Sequence, residues 1–144
     1  MREILFRGKS VLNGEWLFGN FLKTDDGVFV IQNFDPFGGL AKYEVDHNAV
    51  CQYTGLTDKN GRKIFEGDII SKKVNVYKLG ETAPCGERML IGSVIWDDSS
   101  LLYPGNWSLQ SKDERGNNAT YTFDNEYEII GNIFDNSELI GGQP

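Results

Sequence analysis

The chain has 144 residues, a mass of 16.2 kDa, a formal net charge of -7 and a pI near 4.7, enough for one ordinary domain or a domain with a small appendage. An acidic chain repels the polyanion of a nucleic acid, and no apolar run approaches the roughly 20 residues of a membrane helix. With 40% hydrophobic and 24% charged residues the composition is that of a folded globular protein, and its 17 glycines with 9 Phe, 6 Tyr and 3 Trp suit short strands joined by tight turns.

Ile4 and Phe6, then Trp16 and Phe18, occupy alternate positions on either side of Gly8 to Gly14. Asn13-Gly14 between them is a hairpin signature. Trp16 to Lys23 therefore reads as a strand, Thr24 to Gly27 as a turn and Val28 to Gln32 as the next strand. Phe34 to Gly39 is a loop, because Pro36 cannot donate to a ladder and two glycines follow. Tyr43 to Val45 is a short strand, followed by the segment His47 to Tyr53. Thr57 to Arg62 is a second hairpin, in which Asn60-Gly61 supplies the turn and Asp58 can cap it. Gly67-Asp68 bends the chain and delivers Ile69-Ile70 into a strand. Val74 to Lys78 continues it, and Leu79 to Arg88 is a loop. Met89 to Asp97 alternates again, with Gly92 as a bulge or close-approach point. A turn-rich connection (98–105) leads to a short strand at Trp107 to Gln110 and a hairpin tip at Lys112 to Asn118. Strands at Tyr121 to Phe123 and Glu128 to Ile133 end the sheet. Asn136 to Ile140 fits one helical turn with Asn136 as N-cap and Gly141 as stop.

Candidate chemistry is sparse. Cys51 and Cys85 are the only cysteines and His47 the only histidine, too few ligands for a zinc site and too few thiols for a disulfide framework. His47 and Cys51 lack the arrangement of a nucleophile pair. Asp97-Asp98, Asp113-Glu114 and Asp124/Glu126/Glu128 are carboxylate groups of the kind acid-base catalysis uses. Asp97-Asp98 follows Trp96 at a strand end, however, where Asp forms turns. Alternation sets Asp124, Glu126 and Glu128 on one solvated face. Asp58 to Gly61 resembles the start of a calcium loop, but the twelfth position is Ile69 rather than glutamate. No phosphate-binding glycine loop is present. Asn106-Trp107-Ser108 and Asn118-Ala119-Thr120 match the glycosylation sequon, and without an apolar signal core at the N-terminus they read as chance matches.

Three ordered blocks carry a family resemblance. Met1 to Arg7 reads M-R-E-I-L-F-R, Gln52 to Ile70 reads Q-Y-T-G-L-T-D-K-N-G-R-K-I-F-E-G-D-I-I, and Tyr127 to Leu139 reads Y-E-I-I-G-N-I-F-D-N-S-E-L. Together they resemble the YopX-like family of phages, prophages and mobile elements. Cys51 stands where a glycine is more usual, Phe65 where tyrosine is common and Ser137 where a proline often follows the Asn. The resemblance implies phage origin and a β-rich fold, with an SH3-like barrel in the second half; it implies no activity.

The expectation is therefore an all-β protein: an N-terminal β-subdomain (1–56), an SH3-like small barrel (57–135), and a short helical turn and tail (136–144). Its core should include Ile4, Phe6, Trp16, Val30, Ile64, Ile69, Val94, Trp96, Ile130 and Ile133. The functional expectation is a non-catalytic, cytoplasmic phage or prophage accessory protein that binds another host or phage protein and forms a homo-oligomer, with no cofactor, no metal and no membrane. The alternative is a nucleic-acid-binding barrel, disfavoured by the acidic charge. Candidate binding residues are Gln52, Tyr53 and Thr54, as an exposed recognition loop, and Lys72 and Lys73, the densest basic stretch.

Overall fold

The computed structural model describes residues 2–33, 37–99, 105–113 and 115–141. The expected loop at 34–39 and the connection at 98–105 fall partly outside them, as does Glu114 of the Asp113-Glu114 pair. The described residues are almost wholly strand, and they divide into two compact units, Met1–Gly55 and Leu56–Pro144.

In the first unit, β1 (Phe6–Ser10), β2 (Trp16–Thr24), β3 (Gly27–Asn33) and β4 (Leu40–Thr57) pair antiparallel in sequence order. The sheet then closes, because β4 also pairs with β1. The short strand expected at Tyr43 to Val45 is part of this single 18-residue strand. Its first half pairs with β3 (Phe29 opposite Glu44) and its second with β1 (Phe6 opposite Gln52). The poor strand formers Asp46, His47 and Asn48 lie between them, where the pairing with β1 shifts register from Val45 opposite Ser10 to Val50 opposite Gly8, a bulge that accommodates them. Val30, Val45 and Cys51 are buried at the centre of this unit.

The second unit begins with the Asp58 hairpin and the short β5 (Lys63–Phe65). Gly67 follows in the left-handed region at φ 83°. Asp68 is buried and accepts the Phe65 N–H at 2.8 Å, which fixes the bend into β6 (Asp68–Val76). Next come β7 (Gly86–Asp97), β8 (Asn106–Lys112), β9 (Asn118–Tyr121) and β10 (Glu128–Asn132). The sheet order is β10-β6-β7-β8-β9, a meander whose last strand returns alongside its first. Alternation puts Ile70, Leu90, Val94 and Leu109 on one face, where they pack with Ile64 and Tyr127. Gly92 lies on the same face, and a Cβ there would run into the Gln110 carbonyl oxygen. It is a close-approach point.

Four expected core residues are not core. Trp96 is 47% exposed at the end of β7, where it packs edge-on against the ring of Trp107, 4.9 Å away. Ile130 sits at the register shift between Ile129 and Gly131, and that bulge turns it outward. Ile4 precedes β1 and Ile133 follows β10, so neither has strand neighbours to cover it. Phe6 and Trp16 are only half-buried, whereas Val30, Ile64, Ile69 and Val94 are buried as expected.

Asn136 does not cap the terminal 3-10 turn Ser137–Ile140 with its side chain. Its Oδ1 instead accepts the Asn132 N–H at 3.2 Å, so it braces the preceding strand. Gly141 ends the turn at φ 75°, as its position suggested.

Candidate functional site

The residues of the central and terminal blocks make the fold rather than a reaction centre. The Asp58 side chain has no solvent exposure. Its Oδ1 accepts the N–H groups of Asn60 and Arg62, both at 2.9 Å. Its Oδ2 accepts the Ile129 N–H at 3.2 Å and Arg62 Nε at 3.3 Å. Arg62 in turn donates to the Ile129 carbonyl at 2.5 Å, and the Lys59 N–H donates to the Tyr127 carbonyl at 2.9 Å. The hairpin is thereby stapled to β10, 71 residues away for the Asp58–Ile129 bond. Burial pushes the Asp58 pKa up, but the N–H donors of Arg62, Ile129 and Asn60 and the Arg62 charge outweigh it, leaving the carboxyl below its ordinary value. This carboxylate is occupied on every side.

The terminal block works in the same way. Asn132 Oδ1 accepts the N–H groups of Phe134 and Asp135 at 3.0 and 2.9 Å, and Asn132 Nδ2 donates to Asp135. Gly131 is required because a Cβ there would lie 2.6 Å from Asn136 Oδ1.

The exposed recognition loop expected at Gln52, Tyr53 and Thr54 is part of β4, where Tyr53 and Thr54 are buried and Gln52 half-buried. Strand pairing with β1 places them there: Gln52 is opposite Phe6, and the Tyr53 N–H donates to the Leu5 carbonyl. Lys72 and Lys73 are neighbours on β6 and therefore point to opposite faces. Lys72 holds Glu126 at 2.8 Å and Asp124 at 3.5 Å, and lies 5.4 Å from the Tyr127 ring centre. The hydrogen bond to Glu126, with the charges of both carboxylates, raises the Lys72 pKa against the opposing effect of burial. Lys73 pairs with Glu87 at 3.5 Å. The basic stretch is thus largely neutralised.

The carboxylates considered for acid-base chemistry are dispersed over separate tasks. Asp97 accepts from the Ser99 hydroxyl at 2.6 Å and the Ser99 N–H at 2.9 Å, and these bonds hold its pKa below the ordinary value. Asp124 and Glu126 face Lys72, and Glu128 faces Lys59 at 3.2 Å. His47 is exposed and Cys51 buried, four residues apart in β4. Among the described residues no group of three or more His, Cys, Asp and Glu side chains could hold a metal ion.

The feature best suited to take a ligand lies elsewhere, on the sheet face opposite the hydrophobic core. A groove of about 290 Å³ runs over β7, β8 and β9 beneath the 3-10 turn. Met89 and Ile91 of β7 form its apolar wall with Leu139 and Ile140 of the turn. Ser93, Gln110 and Asn118 provide hydrogen-bonding groups, and Lys112 places a cation at its side. Lys112 Nζ is oriented by donating to Asn118 Oδ1 at 2.7 Å. Ser111 also borders the groove, but its hydroxyl already donates to the Ile91 carbonyl at 2.6 Å. Met89 and Leu139 are 49% and 40% exposed, unusual for apolar side chains this close together.

The family model described as YopX protein matches residues 6–141. The chain belongs to the YopX family. A crystal structure of protein EF1440 from Enterococcus faecalis is similar, with 23% identity, a TM-score of 0.54, and coverage of 97% of this chain and 99% of that one. At that identity the likeness is one of fold. No curated protein matches the chain. Among the described residues no helix is long and apolar enough to cross a membrane.

Sequence reasoning missed the groove because its residues come from four elements far apart in the chain. One signal was available: in β7, Met89, Ile91 and Ser93 alternate with the core residues Leu90, Gly92 and Val94. An apolar residue on the face opposite a core marks a second covered or binding surface.

Proposed function

We propose that this YopX family member is a non-catalytic, cytoplasmic accessory protein of phage or prophage type that acts by binding another protein. The groove under the 3-10 turn carries this reading. It joins exposed apolar side chains to hydrogen-bonding groups, the composition of a recognition surface. The occupation of Asp58, Asp97, Asp124 and Glu126 by structural partners supports a binding role over hydrolysis. The pairing of Lys72 and Lys73 with carboxylates favours protein over nucleic acid as the partner. The meander with its returning fifth strand supports an SH3-like reading of the second unit. Self-association is also expected: Phe18 and Leu40 are 46% and 69% exposed on the first unit, where they border one hollow with Leu5 and Ile31.

The test is site-specific photo-crosslinking in cells that carry the protein's own genetic background. A photoreactive phenylalanine analogue replaces Met89, and Tyr77, also exposed but away from the groove, serves as control. A discrete protein adduct at position 89, absent at 77 and suppressed by Leu139→Glu, is the expected result. Equal or absent adducts at the two positions would refute the groove as the binding surface.

A further inference from the structure

The closed sheet of the first unit carries a charge where alternation calls for an apolar residue. Phe21 and Lys23 of β2 lie directly opposite Val30 and Val28 of β3, so all four side chains share the inner face. Val45 reaches that face two residues after Tyr43, the partner of Val30. Val50 reaches it opposite Gly8, where a Cβ would run into Val45. Val30 is fully buried, but toward the turn at Thr24 to Gly27 the face opens into a hollow of about 450 Å³ walled by Phe21, Val28, Val45 and Val50. The Phe21 ring lies 5.4 Å from that of Phe6 and is still 38% exposed. Lys23 stands at the mouth, and Asp25 and Asp26 form the rim beside it. Among the described residues none of these three side chains enters an ion pair, although they lie within four positions of one another. Lys59, Lys72 and Lys73, by contrast, are each paired with a carboxylate. Glu44 also borders the hollow, but it is opposite Phe29 in the ladder, so its carboxylate belongs to the outer face.

We propose that this hollow binds a free amino acid with an apolar side chain. The ligand's side chain packs on Phe21, Val28, Val45 and Val50, its carboxylate meets Lys23, and its ammonium meets Asp25 or Asp26. Charge complementarity selects this class. A ligand bearing only a carboxylate would face two uncompensated aspartates, and one bearing only an ammonium would face Lys23. The volume lies at the small end of the range for organic ligands, which suits a molecule of this size and a Kd of about 0.1–1 mM. The site lies wholly within the first unit and does not depend on the groove of the second.

The test is a two-dimensional amide and methyl NMR titration of the full chain with three probes. These are L-phenylalanine, L-phenylalaninamide, which lacks the carboxylate, and phenylpropionate, which lacks the ammonium. Phenylalanine is expected to shift the methyl signals of Val28, Val45 and Val50, and each analogue to bind about tenfold more weakly. Lys23→Met should weaken phenylalanine about tenfold without weakening phenylalaninamide, and Asp25→Asn with Asp26→Asn should weaken it without weakening phenylpropionate. All three side chains are exposed, so the spectrum of the remaining residues should stay in place and show that the variants are folded. Phenylalaninamide binding as tightly as phenylalanine would overturn the inference in favour of a peptide N-terminus. Phenylpropionate binding as tightly would overturn it in favour of a simple carboxylate. Shifts confined to residues away from the hollow, or none with any probe at about 10 mM, would overturn the hollow as a small-molecule site.

Discussion

Replacing Asp58 by Ala removes one buried carboxylate that accepts from three backbone N–H groups and Arg62 Nε. The N–H groups of Asn60 and Arg62 lie in an exposed turn and can recover water, so each loss resembles a lost cap of about 1 kcal/mol. The Ile129 N–H is part-buried within β10, and leaving it without an acceptor costs about 1–2 kcal/mol. The sum is about 3–4 kcal/mol, a large share of the stability of an ordinary domain. For a chain of this length it lowers the thermal midpoint by about 10–15 °C. Asp58→Asn should cost less: its carbonyl can replace Oδ1, but its NH2 group would meet the Ile129 N–H and Arg62 Nε as donor against donor. Acid titration adds a second reading. The folded pKa of Asp58 is depressed, so its contribution is present above the unfolded value near 3.8 and is lost as pH falls through the folded pKa. Asp58→Asn should therefore flatten the acid limb of the stability curve below about pH 4. Thermal and urea denaturation followed by circular dichroism across that range measures both effects. A midpoint shift under about 3 °C for Asp58→Ala, or an unchanged acid limb for Asp58→Asn, would refute the staple.

The remaining predictions concern packing, charge and binding. Gly92→Ala should cost about 3 kcal/mol or more, because its Cβ would clash with the Gln110 backbone and lie 2.7 Å from Leu109 Cδ1. Gly131→Ala should cost about 1–3 kcal/mol by displacing Asn136 from its bond to the Asn132 N–H, and urea unfolding of the two variants ranks them. Lys72→Met should lower stability at neutral pH by less than about 1 kcal/mol, since its carboxylate partners are exposed. Its folded pKa is raised, so the wild-type contribution is present below the unfolded value of 10.5 and lost as pH rises through the folded one; an alkaline melt series should show that loss only in the wild type. Light scattering after size exclusion should show a discrete oligomer whose mass does not change with short single-stranded DNA or RNA. A salt-sensitive shift with either, abolished by Lys72→Glu with Lys73→Glu, would favour the nucleic-acid reading instead.

The sequence alone determined what depends on neighbours in the chain. Alternating apolar residues placed the strands at Trp16 to Lys23, Val28 to Gln32 and Met89 to Asp97. Glycine and Asx chemistry placed the turns at Gly14, Gly61 and Gly67, each with positive φ. The central and terminal family blocks were legible for the same reason, because Asp68, Asn132 and the turn-capping Oδ1 of Asp58 bond groups within a few residues of themselves. Tertiary structure decided everything that needed a partner distant in sequence. Pairing with β1 and β3 made one long strand of Leu40–Thr57 and buried Tyr53 and Thr54. A one-residue bulge in β10 turned Ile130 out of a core that alternation had assigned to it. The reach of Asp58 to Ile129 and the meeting of Met89, Lys112 and Leu139 at one groove depend on register between strands. Local periodicity fixes which residues share a face, but only pairing and closure fix what that face meets.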